Sequence, residues 1–504
     1  MKTWFIFHVL FTVVLSCIGQ DNCSLRHDAN WIWSGVDTSN LNEISLQIHF
    51  DSGNTSQINT VYRQLWIGDQ NTTVSDSSGQ LQFYSNGCQI HNANNTLMPN
   101  GDSLNFGNIF QTECVGERAA YIGSQGMFTI PVPYNKSSYF IFHKRITYLL
   151  QPSFHLVVDA ILLTEVSKIS GVDSFEVVRK NVPVVLDTNI VSSNFSATRH
   201  ADGQRWWVLS PDAYGNGYFI ILIDSLGVED VSIQFIGNAT SPRNDAGQGK
   251  FSPDGSKFAM FHSKSGVFLF DFDRNTGTLS NYHTFGPIDS SVIIGGCEFS
   301  PSGQFLYINN FTELYQYDLM ANDVASSEIL IDTFEIFNSP FPTQFFHMER
   351  TPNGQIFMNS PNGVNVLHVI KNPDEGGKNC NFVQRDIILP VYIDFTMPHF
   401  PNYRLGALDD KPCDTTVSTL QPSIDTASVK VYPNPTHDYV FVEIPNNAGR
   451  QWTWFLTDMT GRTVRDGILA AGVERISLSG LSGLYILWIA DSKGGVDRQK
   501  IVVH

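Results

Sequence analysis

The sequence predicts an all-β chain: a seven-bladed propeller, WD40-like or lactonase-like, followed by a small immunoglobulin-like β-sandwich. Three observations carry this. A turn-and-strand unit recurs at a nearly constant period. Charged residues make up only 16% of the chain, whereas Phe numbers 36, Tyr 17 and Trp 9. A stretch rich in Ser and Thr then separates the repeats from a C-terminal module. Few charges, many aromatics and many polar turn residues favour short strands over long salt-bridged helices. At 504 residues the chain exceeds the size at which one core stops growing, so two or more domains are expected.

The N-terminus reads as a secretory signal peptide, residues 1–19. Lys2 supplies the positive end, Trp4 to Leu15 form an apolar stretch too short to span a bilayer, and Ser16-Cys17-Ile18-Gly19 follow. Cleavage is expected between Gly19 and Gln20. A competing reading lipidates Cys17, although Leu15 fits a lipobox poorly. No other segment reaches the roughly 18 apolar residues that a membrane helix needs, so no transmembrane segment is expected after signal removal. Cys23, Cys88, Cys114, Cys297, Cys380 and Cys413 remain, and an exported chain can form disulfides. Six cysteines allow about 15 connectivities. Cys88 with Cys114 and Cys380 with Cys413 are the first pairs to test, being nearest in sequence. There is no CxxC pair to suggest a zinc ribbon or a redox site.

The repeats follow. Phe251-Ser252-Pro253-Asp254-Gly255 leads into Lys257-Phe258-Ala259-Met260-Phe261, Phe299-Ser300-Pro301-Ser302-Gly303 into Phe305-Leu306-Tyr307-Ile308, and Arg350-Thr351-Pro352-Asn353-Gly354 into Ile356-Phe357-Met358. The copies start 48 and then 51 residues apart. In each, Pro sets φ, Gly accepts positive φ, and the turn feeds an apolar strand. Further strands, such as Val267–Phe270 and Leu314–Tyr317, complete a four-stranded unit of propeller-blade length. Asp76-Ser77-Ser78-Gly79 before Leu81–Tyr84, and Asp202-Gly203 before Trp206–Leu209, repeat the scheme with more drift, and Ser138–Phe142 reads as a further inner strand. Dividing Asn30 to Leu405 by the period gives about seven to eight blades, and seven is expected. Two stacked sandwiches are the rival, which the regular period disfavours. The propeller is placed at 20–408. Residues 409–428 form a linker whose latter part, from Val417, has no aromatic residue to bury. The end module, 429–504, is expected to place strands at Val440–Ile444, Trp452–Leu456, Arg475–Leu478 and Leu484–Trp488.

That module resembles the type A sorting domain of the type IX secretion system of Bacteroidota. The matching residues are Tyr432-Pro433-Asn434-Pro435, Asp458-Met459-Thr460-Gly461-Arg462, Leu481-Ser482-Gly483-Leu484-Tyr485 and Ile501-Val502-Val503. The resemblance implies a cargo that crosses the inner membrane, folds in the periplasm and is exported by the type IX machinery through Val429–His504. Secretion or surface attachment follows, commonly after the sorting domain is removed. Residues from about 60 to 415 resemble the propeller region of large secreted Bacteroidota proteins. This likeness lies in Asp76–Gly87, in Asn92–Leu104, in His200–Trp207, in Val369-Ile370-Lys371-Asn372-Pro373, in Pro401-Asn402-Tyr403-Arg404-Leu405-Gly406 and in Pro412-Cys413-Asp414. Those relatives often continue into PKD-type repeats, which this chain lacks.

Chemistry is thinly signalled. There is no nucleophile elbow, HExxH helix or P-loop, so no residue is assigned as catalytic, cofactor-binding or metal-binding, and no cofactor is expected. A net charge of −17 argues against nucleic acid. Asp271-Phe272-Asp273-Arg274-Asn275-Thr276-Gly277 alternates oxygen donors like a calcium loop. Its glycine falls one residue late and Tyr282 stands at the twelfth position, so a polar turn is the better reading. His200, Asp202, Arg205, Trp206 and Trp207 could hold a sugar by stacking and hydrogen bonding. The favoured alternative divides the tryptophans between an inter-blade core and a blade's outer face. The expected role is non-enzymatic binding of a glycan or protein. The alternative is a hydrolase or lyase, lactonase-like or polysaccharide-acting, working in the central channel, and a structural surface-layer role stays open. Deleting Val429–His504 is expected to trap the protein in the periplasm, scored by immunoblotting of cell fractions.

Overall fold

The computed structural model describes residues 25–51, 56–149, 155–187, 189–239, 247–262, 264–288, 294–338, 340–408, 430–444, 452–458, 463–469, 472–491 and 496–504. The signal peptide, Cys17, Cys23, the linker 409–428 and Cys413 lie outside these residues. The chain divides into two compact units, one within 1–415 and one within 416–504.

In the first unit the described strands form seven antiparallel sheet units. The first holds Asn30–Asp37, Glu43–Phe50 and Ser56–Val61; the second holds Thr72–Ser75, Leu81–Ser85 and Ile90–Asn92. The third to seventh have four strands each and begin at Met127, Ser196, Gly249, Gly296 and Met348. Each is an up-and-down meander whose first strand is innermost, and inner strands of successive units touch from the first to the third and from the fourth to the seventh. The third and fourth meet through Phe128 and Phe195, with ring centroids 4.7 Å apart, and through Trp206 Nε1, which donates to the Pro131 carbonyl at 3.2 Å. The ring is closed by strand pairing of Gly35–Asp37 with Val391–Ile393. Ring closure removes the exposed sheet edges that would otherwise invite aggregation. This is the expected seven-bladed propeller.

The predicted turns all form in the same way. Gly255, Gly303 and Gly354 donate to the carbonyls of Ser252, Ser300 and Thr351 at 2.8, 2.9 and 2.9 Å. Their φ values of 71°, 75° and 84° are those a glycine adopts without penalty. Because each turn joins the first strand of a sheet to the second, all of them gather on one face of the ring. Ser138–Phe142 is corrected: it belongs to the second strand of its blade, Ser138–Leu149, and Met127–Pro131 lies inside it. An apolar run alone does not tell an inner strand from its equally buried neighbour. Cys88 and Cys114 are bonded, and Cys380 is a buried thiol with no disulfide partner among the described residues; Cys413, the other member of the second pair to test, lies outside them.

The axis of the ring is filled by residues 394–408. Trp33 Nε1 donates to the Thr396 carbonyl at 2.9 Å, His399 Nε2 meets the Phe195 carbonyl at 2.9 Å, and the Tyr403 hydroxyl donates to the Thr129 carbonyl at 2.5 Å. Asn402 Nδ2 donates to the Ser252 carbonyl at 2.7 Å, and the Leu408 amide to Ala201 at 2.9 Å. Pro398 and Pro401 lack a ladder donor, which keeps the segment out of any sheet and leaves it to side-chain bonding. Beside it lies a buried ion cluster. Lys250 Nζ is 3.1 Å from Glu298 and also pairs with Glu349, and His399 Nδ1 is 3.7 Å from Glu349. Burial alone would lower the Lys250 pKa, but the two carboxylates outweigh it and hold the ammonium charged. Burial, then the Lys250 charge, push His399 well below the usual imidazole range, so it is neutral and donates from Nε2.

The second unit is a two-sheet sandwich. One sheet orders Lys430–Tyr432, Tyr439–Ile444 and Gly472–Ser477; the other orders Thr463–Leu469, Trp452–Asp458, Gly483–Asp491 and Val496–Val503. Val440, Val442, Leu456, Leu487, Ile489 and Ile501 fill its core. The four expected strands are present, joined by Lys430–Tyr432, Thr463–Leu469 and Val496–Val503. Asn434 Oδ1 accepts from the Val502 amide at 3.0 Å, and Thr436 exchanges backbone bonds of 2.9 Å with Val502 and His504. The Tyr432–Pro435 segment and the Ile501–Val503 end therefore buttress one another.

Removing the ammonium from the axial cluster would leave two buried carboxylates without a counter-charge. Lys250→Ala is expected to cost roughly 3–5 kcal/mol, read as a fall in the urea midpoint with an unchanged slope.

Candidate functional site

On the face opposite the Pro-Gly turns, a cavity of about 690 Å³ opens where the axial segment begins. Its walls come from four connections: Trp66 to Asp69 between the first two blades, Arg118 to Ile122 before the third, Pro340 and Phe341 before the seventh, and Tyr392 to Phe395. Loops on a rigid scaffold are the usual carriers of binding residues.

These loops are fastened by side chains. Asn86 Nδ2 donates to the carbonyls of Trp66 and Ala119, at 2.9 and 2.7 Å, clamping two walls together. Asn71 Nδ2 donates to Gly68 at 2.9 Å and to Thr396 Oγ1 at 2.7 Å, tying the first wall to the axial segment. Ser34 Oγ receives the Ile67 amide at 2.7 Å. Gly68 lets the walls approach, since a Cβ there would stand 2.4 Å from the Ala120 Cβ. The cavity is thus preformed.

Its lining joins aromatic surface to charge. Arg118 lies over the Trp66 ring at 4.8 Å and pairs with Glu43 at 2.6 Å. Phe341 and Phe395 are 53% and 38% exposed, which is unusual for rings that line a cavity and makes them available as stacking platforms. Asp69 is pushed up to about 7, first by burial and then by the neighbouring Asp394 carboxylate. A half-protonated carboxyl at neutral pH can donate or accept a hydrogen bond, which suits a hydroxylated ligand.

The residues singled out in the sequence do not gather here. Asp202 binds Arg205 at 2.6 Å, and Arg205 binds Glu229 at 3.0 Å. Trp206 and Trp207 are both buried, donating from Nε1 to Pro131 and to Arg274 at 3.2 and 2.7 Å. Each lies in a core between blades, so neither reaches the blade's outer face. The Asp271–Gly277 segment is a hairpin turn: Asp271 binds Lys257 and Asn281, both at 2.6 Å, and Asp273 binds the Asn275 amide and the Thr276 hydroxyl. Trp66, Asp69 and Asp394 were missed because their chain segments are far apart and carry no local motif. The one signal available was Asp394-Phe395-Thr396-Met397-Pro398-His399-Phe400-Pro401, a proline-broken aromatic run that no blade can absorb.

Residues 430–504 match the family described as a secretion system C-terminal sorting domain. The protein therefore combines a β-propeller with a type IX secretion sorting domain, and it is exported through the periplasm to the outer cell surface or the medium. No curated protein matches it by sequence. Solved structures similar to it include the periplasmic gluconolactonase PpgL of Pseudomonas aeruginosa (15% identity, TM-score 0.40, 73% of this chain and 98% of that one). Apo AztD of Citrobacter koseri is similar over 90% of this chain and 99% of its own (12% identity, TM-score 0.30). The Swd1 propeller of Myceliophteria thermophila is similar over 62% and 89% (11% identity, TM-score 0.34).

Asp69 makes the folded state sensitive to pH. Its folded pKa of about 7 lies above the ordinary carboxyl value of 3.8, so its contribution to stability is full below that lower value and is lost as pH rises through about 7. Asp69→Asn is expected to flatten the decline of melting temperature between pH 4 and 7, measured by differential scanning calorimetry.

Proposed function

We propose that the exported propeller is a binding module for a glycan, held at the cavity formed by Trp66, Asp69, Phe341, Asp394 and Phe395. The observation that carries this reading is the pairing of exposed rings with a carboxyl poised near neutrality inside a preformed recess. Sugar rings stack their apolar C–H faces on aromatics, while their hydroxyls need both donors and acceptors. The filled axis supports binding over channel chemistry, because residues 394–408 take the space a central substrate would need.

A second reading is favoured by one feature. Asp69, with its raised pKa, beside Asp394 has the composition of an acid–base carboxyl pair for glycoside cleavage. The export route is common to both readings and supports a ligand met outside the cell.

A glycan array probed with the purified exported protein decides the matter. The expected result is saturable binding of a neutral polysaccharide fragment that weakens at least tenfold in Trp66→Ala, equivalent to about 1.4 kcal/mol. Shortening of the bound glycan, abolished by Asp69→Asn, would favour the second reading, and absence of any glycan signal would overturn the first.

A further inference from the structure

The other face of the ring carries a second, smaller cavity of about 410 Å³, beside the end of the axial segment. The Asp76–Ser78 turn, the Pro131–Tyr139 turn, Arg199, Gln204 and Leu405 form its walls. Arg199 is only 7% exposed. Its guanidinium lies on the Trp206 ring at 3.9 Å and donates from Nη1 to the Gln204 carbonyl at 2.8 Å. Its Nε has no hydrogen-bond partner, and no carboxylate lies within ion-pair distance of it among the described residues. The nearby acids are engaged elsewhere: Asp28 pairs with Arg404, Asp202 with Arg205, and Asp76 accepts from the amides of Ser78 and Gln80. A buried cation without a counter-charge is costly. Burial pulls the Arg199 pKa down to about 10, which still leaves it charged.

Two further groups line the same space. Tyr139 is 2% exposed, and its hydroxyl bonds to no described residue. Burial raises its pKa, so it stays a donor. His27, lowered to about 4 by burial, is neutral. Its Nδ1–H donates to the Ser75 carbonyl at 2.6 Å, which leaves Nε2 an acceptor. A fixed cation, a hydroxyl donor and an imidazole acceptor thus converge, with the exposed Tyr134 ring and Lys136 at the rim.

We propose that this cavity binds an acidic sugar, its carboxylate seated against Arg199 and Tyr139 and a ring hydroxyl donating to His27. The site is separate from the cavity at Trp66 and Asp69 and stands whether or not that one binds a glycan. Isothermal titration of the full-length protein with trigalacturonate, and with its methyl ester as the uncharged counterpart, tests it. The expected result is saturable binding of the acid, at least tenfold weaker binding of the ester, and at least a tenfold loss of acid binding in both Arg199→Gln and Tyr139→Phe. Tyr139→Phe removes one oxygen and keeps the ring packing, so it decides the case if Arg199→Gln fails to fold. No saturable binding by the folded protein, equal affinity for acid and ester, or wild-type affinity in Tyr139→Phe would overturn the proposal.

Discussion

The filling of the propeller axis by residues 394–408 is the constraint on which the rest of the molecule depends. Inner strands of a ring carry side chains toward a common centre, and several here are charged, Lys250, Glu298 and Glu349, with Gln125 beside them in the turn before an inner strand. Left facing a void they would need water. Instead His399, Asn402 and Tyr403 supply hydrogen bonds, and Phe400 packs against Trp31 with centroids 5.7 Å apart. The blades are held by one another at their interfaces and by this segment at the centre. A polar network so enclosed is stabilising only when all its members are satisfied.

The same segment shapes both ends of the ring. Asp394 and Phe395, where it enters, form part of one cavity, and Leu405, where it leaves, forms part of the other. The two recesses are chemically unlike. One offers aromatic surface and a carboxyl near its midpoint of titration; the other offers a buried guanidinium. Blocking the axis turns a single through-going channel into two blind sites that can be specialised independently.

Much of this architecture was legible in the sequence, and the reasons it was are physical. Turns need Pro and Gly at fixed places, so Ser252–Gly255, Ser300–Gly303 and Thr351–Gly354 announce themselves and set the period. The sorting domain declares itself because Asn434 and the terminal Ile501–Val503 must meet in one small module. The sites were not legible. Arg199 and His27 are 172 residues apart in sequence and meet only because the ring closes. A ligand platform at Trp206–Trp207 is the less favoured sequence reading, and both rings spend their surface on packing between blades, including the one assigned to a blade's outer face. Local sequence reports backbone geometry well, but it does not report which side chains are left unsatisfied once the cores have formed.

Ring closure also has a temporal side. The pairing of Gly35–Asp37 with Val391–Ile393 joins strands from opposite ends of the propeller, so the circle cannot be completed until nearly all of it has been synthesised. The export address comes later still along the chain, at 430–504. A polypeptide cut short anywhere within the blades therefore carries no address. The order of parts means that any chain bearing the address already contains both strands of the closure.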